Sequence, residues 1–183
     1  TGISMRFINA PDSAIDREID RTLAEAGVFV GADRAYLFRY DFVRGLMTNT
    51  HEWCTEGVSP RIANLQTVPI REVQRWVDAH RRGEVINITD VADLPIDDPL
   101  RVLLERRDVG SLITIPLVFR DECLGFVGFD AVRRSLLWTE SEATLLKILS
   151  ELLVNAELKR RHEVSMREAR RSLEESVARA NEL

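Results

Sequence analysis

From residue 139 to residue 183 the chain contains neither glycine nor proline, and this stretch limits what the rest can be. Thr139-Glu140-Ser141-Glu142 has the form of a capping box. There a hydroxyl and a carboxylate three residues later satisfy amide groups that a helix start leaves without partners. A helix from that point to the last residue is about 44 residues long, or roughly 66 Å. That is too long to pack wholly on a domain built from the residues before it. Its first half carries Leu145, Leu149, Leu152 and Ala156 at four-three-four spacing, and its second half carries Met166, Leu173, Val177 and Ala180. Lys159 and Glu163 interrupt the seam. Glu157/Arg161, Glu163/Arg167 and Glu175/Arg179 stand in the favoured order for i,i+4 pairs. The seam predicts pairing with a second copy over residues 157–183, a homodimeric coiled coil. A frayed, solvated tail is the alternative.

Ahead of that helix the chain alternates between two periodicities. Ile15, Ile19, Leu23, Ala26 and Val30 mark one face of a helix over 12–30, with Asp12 or Ser13 as its cap. The 1–11 segment before it reads as a tail. Strands follow at 35–41 and 46–54, joined by a turn at Val43-Arg44-Gly45. A mixed excursion fills 55–94. It includes an amphipathic helix with Ile70, Val73, Trp76, Val77 and His80 on one side, ended by Gly83, and a short strand at 85–88. Asp98-Pro99 starts another helix, since aspartate caps and proline fits the first helical position. It runs to about residue 107 and presents Leu100, Leu103 and Leu104. SLITIPLVF and CLGFVGFD flank Arg120-Asp121-Glu122 and read as a central hairpin covered on both sides. Pro116 removes one ladder donor, which predicts an irregularity nearby, and Gly125 and Gly128 leave room on the sheet surface.

Composition excludes several classes. Hydrophobic residues make up 45% and charged residues 30% of the chain, enough apolar mass for a real core. The net charge of −5 argues against nucleic-acid binding, which needs clustered cations. Residues 157–183 are densely charged but nearly neutral, as suits a solvated helix. No apolar run is long enough to span a bilayer, so no membrane contact is expected of this segment. Cys54 and Cys123 form no metal spacing and no disulfide framework, which fits a reducing cytoplasm.

These elements, in this order, resemble the GAF domains of bacterial sensor proteins. The resemblance lies in Thr50-His51-Glu52-Trp53-Cys54, Leu65-Gln66 with Pro69, Gly83-Glu84-Val85-Ile86 and Val91-Ala92-Asp93-Leu94-Pro95. It continues in Ser111-Leu112-Ile113, Ile115-Pro116-Leu117, the run from Gly125 to Arg133, and Trp138-Thr139. The resemblance covers about residues 12 to 159. It implies an α+β fold: an antiparallel sheet with the terminal helices on one face and a pocket-forming excursion on the other. The domain is assigned to 12–156, with a signalling linker helix over 157–183. Such a domain is a sensory input that binds a small molecule and performs no catalysis itself, in a parent that is typically a histidine kinase or diguanylate cyclase. The ligand is unknown. The cyclic-nucleotide signature is missing, since Arg133-Arg134 does not match its first half and only Trp138, Ser141 and Glu142 stand near its second. Bilin-binding relatives attach the chromophore to a cysteine usually followed by histidine, whereas Thr55 follows Cys54 and Leu124 follows Cys123. Neither ligand is therefore expected.

Five residues are candidate ligand contacts. His51 and Trp53 share one strand face, with Glu52 and Cys54 on the other. If the first pair faces the excursion, it offers a polar ring and an aromatic wall; core packing is the plainer role. Trp76 lies on the helix expected to roof the pocket. Thr114 interrupts an apolar strand. Asp130 ends a strand, where it would either hold a ligand amine or hydroxyl or cap the next turn, capping being favoured. No residues have metal-ligand spacing. His162-Glu163 resembles a kinase phosphoacceptor box only superficially, because Val164-Ser165-Met166 follows. Two other readings stand beside the sensory one. One is a cysteine-based redox enzyme of the free methionine sulfoxide reductase type, using Cys54 or Cys123. The other is a dimerisation scaffold without a ligand.

Overall fold

The computed structural model describes residues 14–181. The expected caps Asp12 and Ser13, the 1–11 tail and Leu183 lie outside them. In chain order the helices are α1 (Ile15–Val30), α2 (Gln74–Arg81), α3 (Pro99–Glu105) and α4 (Glu140–Asn181). The strands are β1 (Arg34–Asp41), β2 (Leu46–Cys54), β3 (Val68–Pro69), β4 (Ile86–Ile88), β5 (Val109–Phe119) and β6 (Glu122–Val132). Among the described residues these strands make one antiparallel sheet in the order β3-β2-β1-β6-β5-β4.

Each face of the sheet carries its own core. Ile113, Ile115, Val127 and Phe129 pack under Ile15, Ile19 and Leu23 of α1 and Leu146, Leu149 and Leu153 of α4. On the opposite face Tyr36, Phe38, Leu112 and Phe126 pack under Trp76 and Val77 of α2 and Leu104 of α3. The terminal helices therefore cover one side and the excursion the other, as the GAF resemblance implies. Residues of β5 and β6 are buried on both sides in consequence, which is why their sequence runs apolar instead of alternating. The irregularity expected near Pro116 falls one residue later, between Leu117 and Val118. Pro116 itself stays in register opposite Phe126. Gly128 does leave room on the sheet. A methyl group there would stand 2.7 Å from Thr114 Cγ2 and 2.8 Å from Tyr36 Cε2.

α4 starts as its sequence predicts. Glu142 accepts from the Thr139 amide at 2.7 Å and bonds the Thr139 hydroxyl as well. The helix runs unbroken past Lys159 and Glu163 to Asn181. The Glu157–Arg161 and Glu163–Arg167 pairs form at 3.7 and 4.0 Å. Glu175 pairs instead with Arg171 at 3.1 Å, while Arg179 reaches only the Glu175 carbonyl. One expectation fails. Leu149 lies in the domain's own core, and Leu145 and Leu152 pack partly covered against the same cluster. The three are therefore not a free seam continuous with Met166, Leu173 and Val177, which are exposed. Spacing cannot show which of two possible partners covers a helix face.

Gly128→Ala is expected to lower stability by about 1–3 kcal/mol, because both neighbours and the Ile113 carbonyl would have to yield. Thermal unfolding of the variant should show a loss of several degrees, and an unchanged midpoint would mean the sheet surface is looser than described.

Candidate functional site

Under the excursion lies a cavity of about 60 Å³. Its floor is the face shared by β1, β2 and β6, with Arg34, Tyr36, Phe38, Glu52, Phe126 and Asp130, and its roof includes Trp76, Leu103, Leu104 and Arg107. Apolar side chains dominate, with the charged groups at one end. The registers explain the gathering. Arg34 stands opposite Asp130 on β6, and Tyr36 opposite Glu52 on β2.

The charged end is incompletely bonded. Arg34 is 3% exposed and Asp130 4%, yet their ion pair is 3.5 Å long, well beyond the usual length of a charge-assisted bond. Arg34 also donates to the Arg107 and Ser59 carbonyls at 3.3 and 3.5 Å. Asp130 Oδ1, Arg34 Nε, Arg61 Nε and Trp76 Nε1 are buried with no hydrogen-bond partner among the described residues. Arg107, half-buried, has no ion pair there. Burial pushes the Asp130 carboxyl up to about 7, against the pull of Arg34. Burial likewise raises the Tyr36 hydroxyl, with Asp130 adding to the shift. Glu52 is held by two backbone amides, from Arg61 at 2.7 Å and Ile62 at 2.9 Å, so it ties the start of the excursion to β2. Arg61 in turn pairs with Asp108 at 2.7 Å.

The candidate residues separate between the two faces. Trp76 lines the cavity. Asp130 does too, and the capping role favoured from sequence is wrong: β6 continues to Val132, so Asp130 is a strand residue opposite Leu112 and Arg34. Thr114 is on the excursion face but is engaged by His80 Nε2 at 2.9 Å, beside the cavity and not in its wall. His80 bonds Tyr40 through its other nitrogen at 2.7 Å, and burial lowers its pKa to about 3. His51 and Trp53 do not face the excursion. Trp53 lies against Gly27 of α1. His51 bonds Asp16 of α1 at 3.1 Å and Thr50 at 3.0 Å. Burial lowers its pKa, with Asp20 opposing. A bulge at Thr50 produces the switch. Asn49 pairs with Phe38 but His51 with Leu37, so the strand changes face between them.

Arg34, Glu52, Arg61, Arg107 and His80 were not among the candidates. Arg34 had a signal, since it alternates with Tyr36, Phe38 and Tyr40 on one strand face. Glu52 shared its strand face with Cys54, His80 its helix face with Trp76, and Arg107 that of Leu100, Leu103 and Leu104, whereas Arg61 reaches the site only through tertiary contacts. The cysteines do not form a redox pair in one chain. Cys54 is level with Asp130, and Cys123 lies seven residues along β6, roughly 23 Å away at the rise of a strand, whereas a disulfide needs Cα atoms within about 7 Å. Burial pushes both thiols up to about 11. Among the described residues no group of His, Cys, Asp and Glu is placed to hold a metal ion, and no helix is long and apolar enough to cross a membrane.

Two sheet faces, one under the chain's terminal helices and one under an excursion enclosing a cavity, make a specific architecture, and the profile of the GAF domain family matches residues 14–156. The chain belongs to the GAF domain family. It is 30% identical over 168 residues to the methanogenesis regulatory histidine kinase FilI of Methanothrix harundinacea. That match covers 89% of this chain but only 19% of the relative, so the chain spans about a fifth of that protein. Among solved structures it is similar to the phycoerythrobilin-bound GAF domain of a cyanobacterial phytochrome, with a TM-score of 0.74, 19% identity and coverage of 88% and 94% of the two chains. A far-red absorbing protein with bound biliverdin IXα gives 0.74, 13% identity and 87% and 97% coverage. The blue-light absorbing form of the Thermosynechococcus elongatus PixJ GAF domain gives 0.65, 20% identity and 89% and 92% coverage. At these identities the likeness is one of fold. It still overturns an expectation. The residues after Cys54 and Cys123 argue against a bilin, but domains of this same fold hold phycoerythrobilin and biliverdin. The neighbour of a cysteine is therefore no ground for excluding a tetrapyrrole.

Asp130 and His80 give opposite pH dependences over nearly the same range. The folded Asp130 pKa, about 7, is above the ordinary 3.8. Its contribution is complete below 3.8 and lost as pH rises through 7. The folded His80 pKa, about 3, is below the ordinary 6.5. Its contribution is complete above 6.5 and lost as pH falls toward 3. Compared with wild type in urea melts between those limits, Asp130→Asn should gain stability as pH rises. His80→Gln should lose it. Parallel profiles for all three proteins would contradict both assignments.

Proposed function

We propose that this GAF domain is the sensory input of a signal-transduction protein, binding a small molecule in the cavity between sheet and excursion. The observation that carries this is the set of four buried polar atoms without partners, on Arg34, Arg61, Trp76 and Asp130, all from residues around one cavity. Buried groups of this kind normally have partners, and a ligand supplies them. The relative FilI is named as a regulatory histidine kinase, which favours a kinase over a diguanylate cyclase as the output.

The relay is α4. Its first half packs in the core beneath the sheet. At the domain's edge Glu157 holds Arg39 at 2.9 Å and Arg161 holds Glu122 at 3.1 Å. Beyond, Val164, Met166, Leu173 and Val177 are exposed, with 49–65% of their surface free. A long helix carrying exposed apolar residues is stabilised by a second copy, and a dimer over this segment supplies it. Ligand binding changes the output only through different affinities for two arrangements of the helices.

Two glycines inserted after Lys159, and separately Asp130→Asn, are expected to abolish stimulus-dependent changes in the parent's autophosphorylation. A full response in both would remove the reading. Sedimentation equilibrium of the chain should give twice the single-chain mass, with Leu173→Asp/Val177→Asp returning it to one. A single-chain mass for the unmutated chain would remove the dimer, and twice that mass for both proteins would remove Leu173 and Val177 from its seam.

A further inference from the structure

We infer that the cavity takes a compact carboxylate bearing an ammonium or hydroxyl on the neighbouring carbon, the chemistry shared by small amino acids and small hydroxy acids. This rests on the sensory reading above and names the class of its ligand. Size gives the first limit. A water-sized group needs roughly 10–15 Å³ of such space, so about 60 Å³ holds a molecule of very few non-hydrogen atoms.

Charge gives the second. Arg34, Arg61 and Arg107 line the cavity against Glu52 and Asp130. Glu52 is occupied by two backbone amides and Arg61 by Asp108. What remains is Arg107 without an ion pair among the described residues and an Arg34–Asp130 pair at 3.5 Å. Arg34 and Arg107 then stand against Asp130 and Glu52, so the charges balance, and Arg107, the cation without a close pair among the described residues, offers a place for an anionic group. A carboxylate meets guanidinium donors in a planar, two-point geometry.

The unpartnered atoms give the third limit, because they are of both kinds. Arg34 Nε, Arg61 Nε and Trp76 Nε1 are donors, and Asp130 Oδ1 is an acceptor. A bare carboxylate answers only the donors and would bring a second negative charge beside Asp130. A simple amine answers only Asp130. A molecule with both groups on adjacent carbons answers both kinds, and the long Arg34–Asp130 pair, at 3.5 Å, leaves each partner able to turn to one of its ends. Phe38, Met47, Leu112 and Phe126 form the apolar part of the lining and suit a small apolar substituent.

The test uses the complete chain with alanine, lactate, acetate, ethylamine and biliverdin, followed by thermal melts and calorimetry. Alanine or lactate should raise the melting temperature by roughly 2–4 °C near saturation. Acetate and ethylamine should bind at least about tenfold more weakly, since each leaves buried groups without partners. Tighter alanine than lactate assigns the donor as ammonium, and the reverse assigns it as hydroxyl; either order supports the inference. Arg107→Met should weaken alanine and lactate alike. Asp130→Asn should weaken alanine more than acetate, with circular dichroism confirming that both variants fold. Equal affinities for alanine, acetate and ethylamine, or no binding of any of them, overturn the inference. Stabilisation by biliverdin alone also overturns it, but leaves the sensory reading standing.

Discussion

Pairing of β1 with β6 sets Arg34 opposite Asp130, Ala35 opposite Phe129 and Tyr36 opposite Gly128. Side chains alternate along a strand, so this one register decides which residues meet the terminal helices and which meet the cavity. A slip of β1 by one residue against β6 would bring Arg34 under α1 and α4 and turn Ala35 toward the excursion, while Asp130 and Phe129 kept their faces. Both cores would fail together. Gly128 belongs to the same constraint, since it admits the Tyr36 ring at the place where the two strands cross from polar to apolar lining.

The register also explains why the cavity holds charge without falling apart. Removing two ions from water costs several kcal/mol each, and a pair regains this only with good geometry and further hydrogen bonds. Arg34 has two carbonyl acceptors on the excursion, at Ser59 and Arg107. Glu52 anchors the excursion's first turn from below. The polar end of the cavity is thus held by the segment that covers it. Movement of that segment and repacking of the charges are a single event. On the other sheet face His51 and Asp16 join β2 to α1, and Asp16 also pairs with Arg160 of α4. The two sides of β2 therefore connect the cavity to the helices through adjacent residues, Glu52 and His51.

The elements were legible in the sequence because each has a local cause. The Thr139 capping box, the Asp98-Pro99 start and the apolar periodicity of α1 and α2 act within a few residues. The alternation that separated His51 and Trp53 from Glu52 and Cys54 was right as well. Which of those faces meets the excursion was not legible, because it depends on the Thr50 bulge and on the side from which the chain returns. Asp130 read as a cap because its strand's last pairs, with Val109 and Ser111, lie far away in sequence. Arg61 sits in a stretch with no periodicity, and Arg107 continues the helix face of Leu100, Leu103 and Leu104; only the closed excursion brings the two to one place. Leu149 has the same spacing whether a sheet or a second helix covers it.

The helix that leaves the domain is also a lever. Its last residue held fully in the core is near Leu153 to Ala156, and about 42 Å of helix separates Leu153 from Asn181 at 1.5 Å per residue. A tilt of about 5° at the sheet moves the far end by about 4 Å over that length. Helix ridges interlock at side-chain spacing, and in the dimer proposed above a displacement of that order would carry an exposed residue such as Leu173 from one groove of the second helix toward the next. A change too small to alter the fold around Arg34 and Asp130 becomes, at the other end of α4, a change of neighbours.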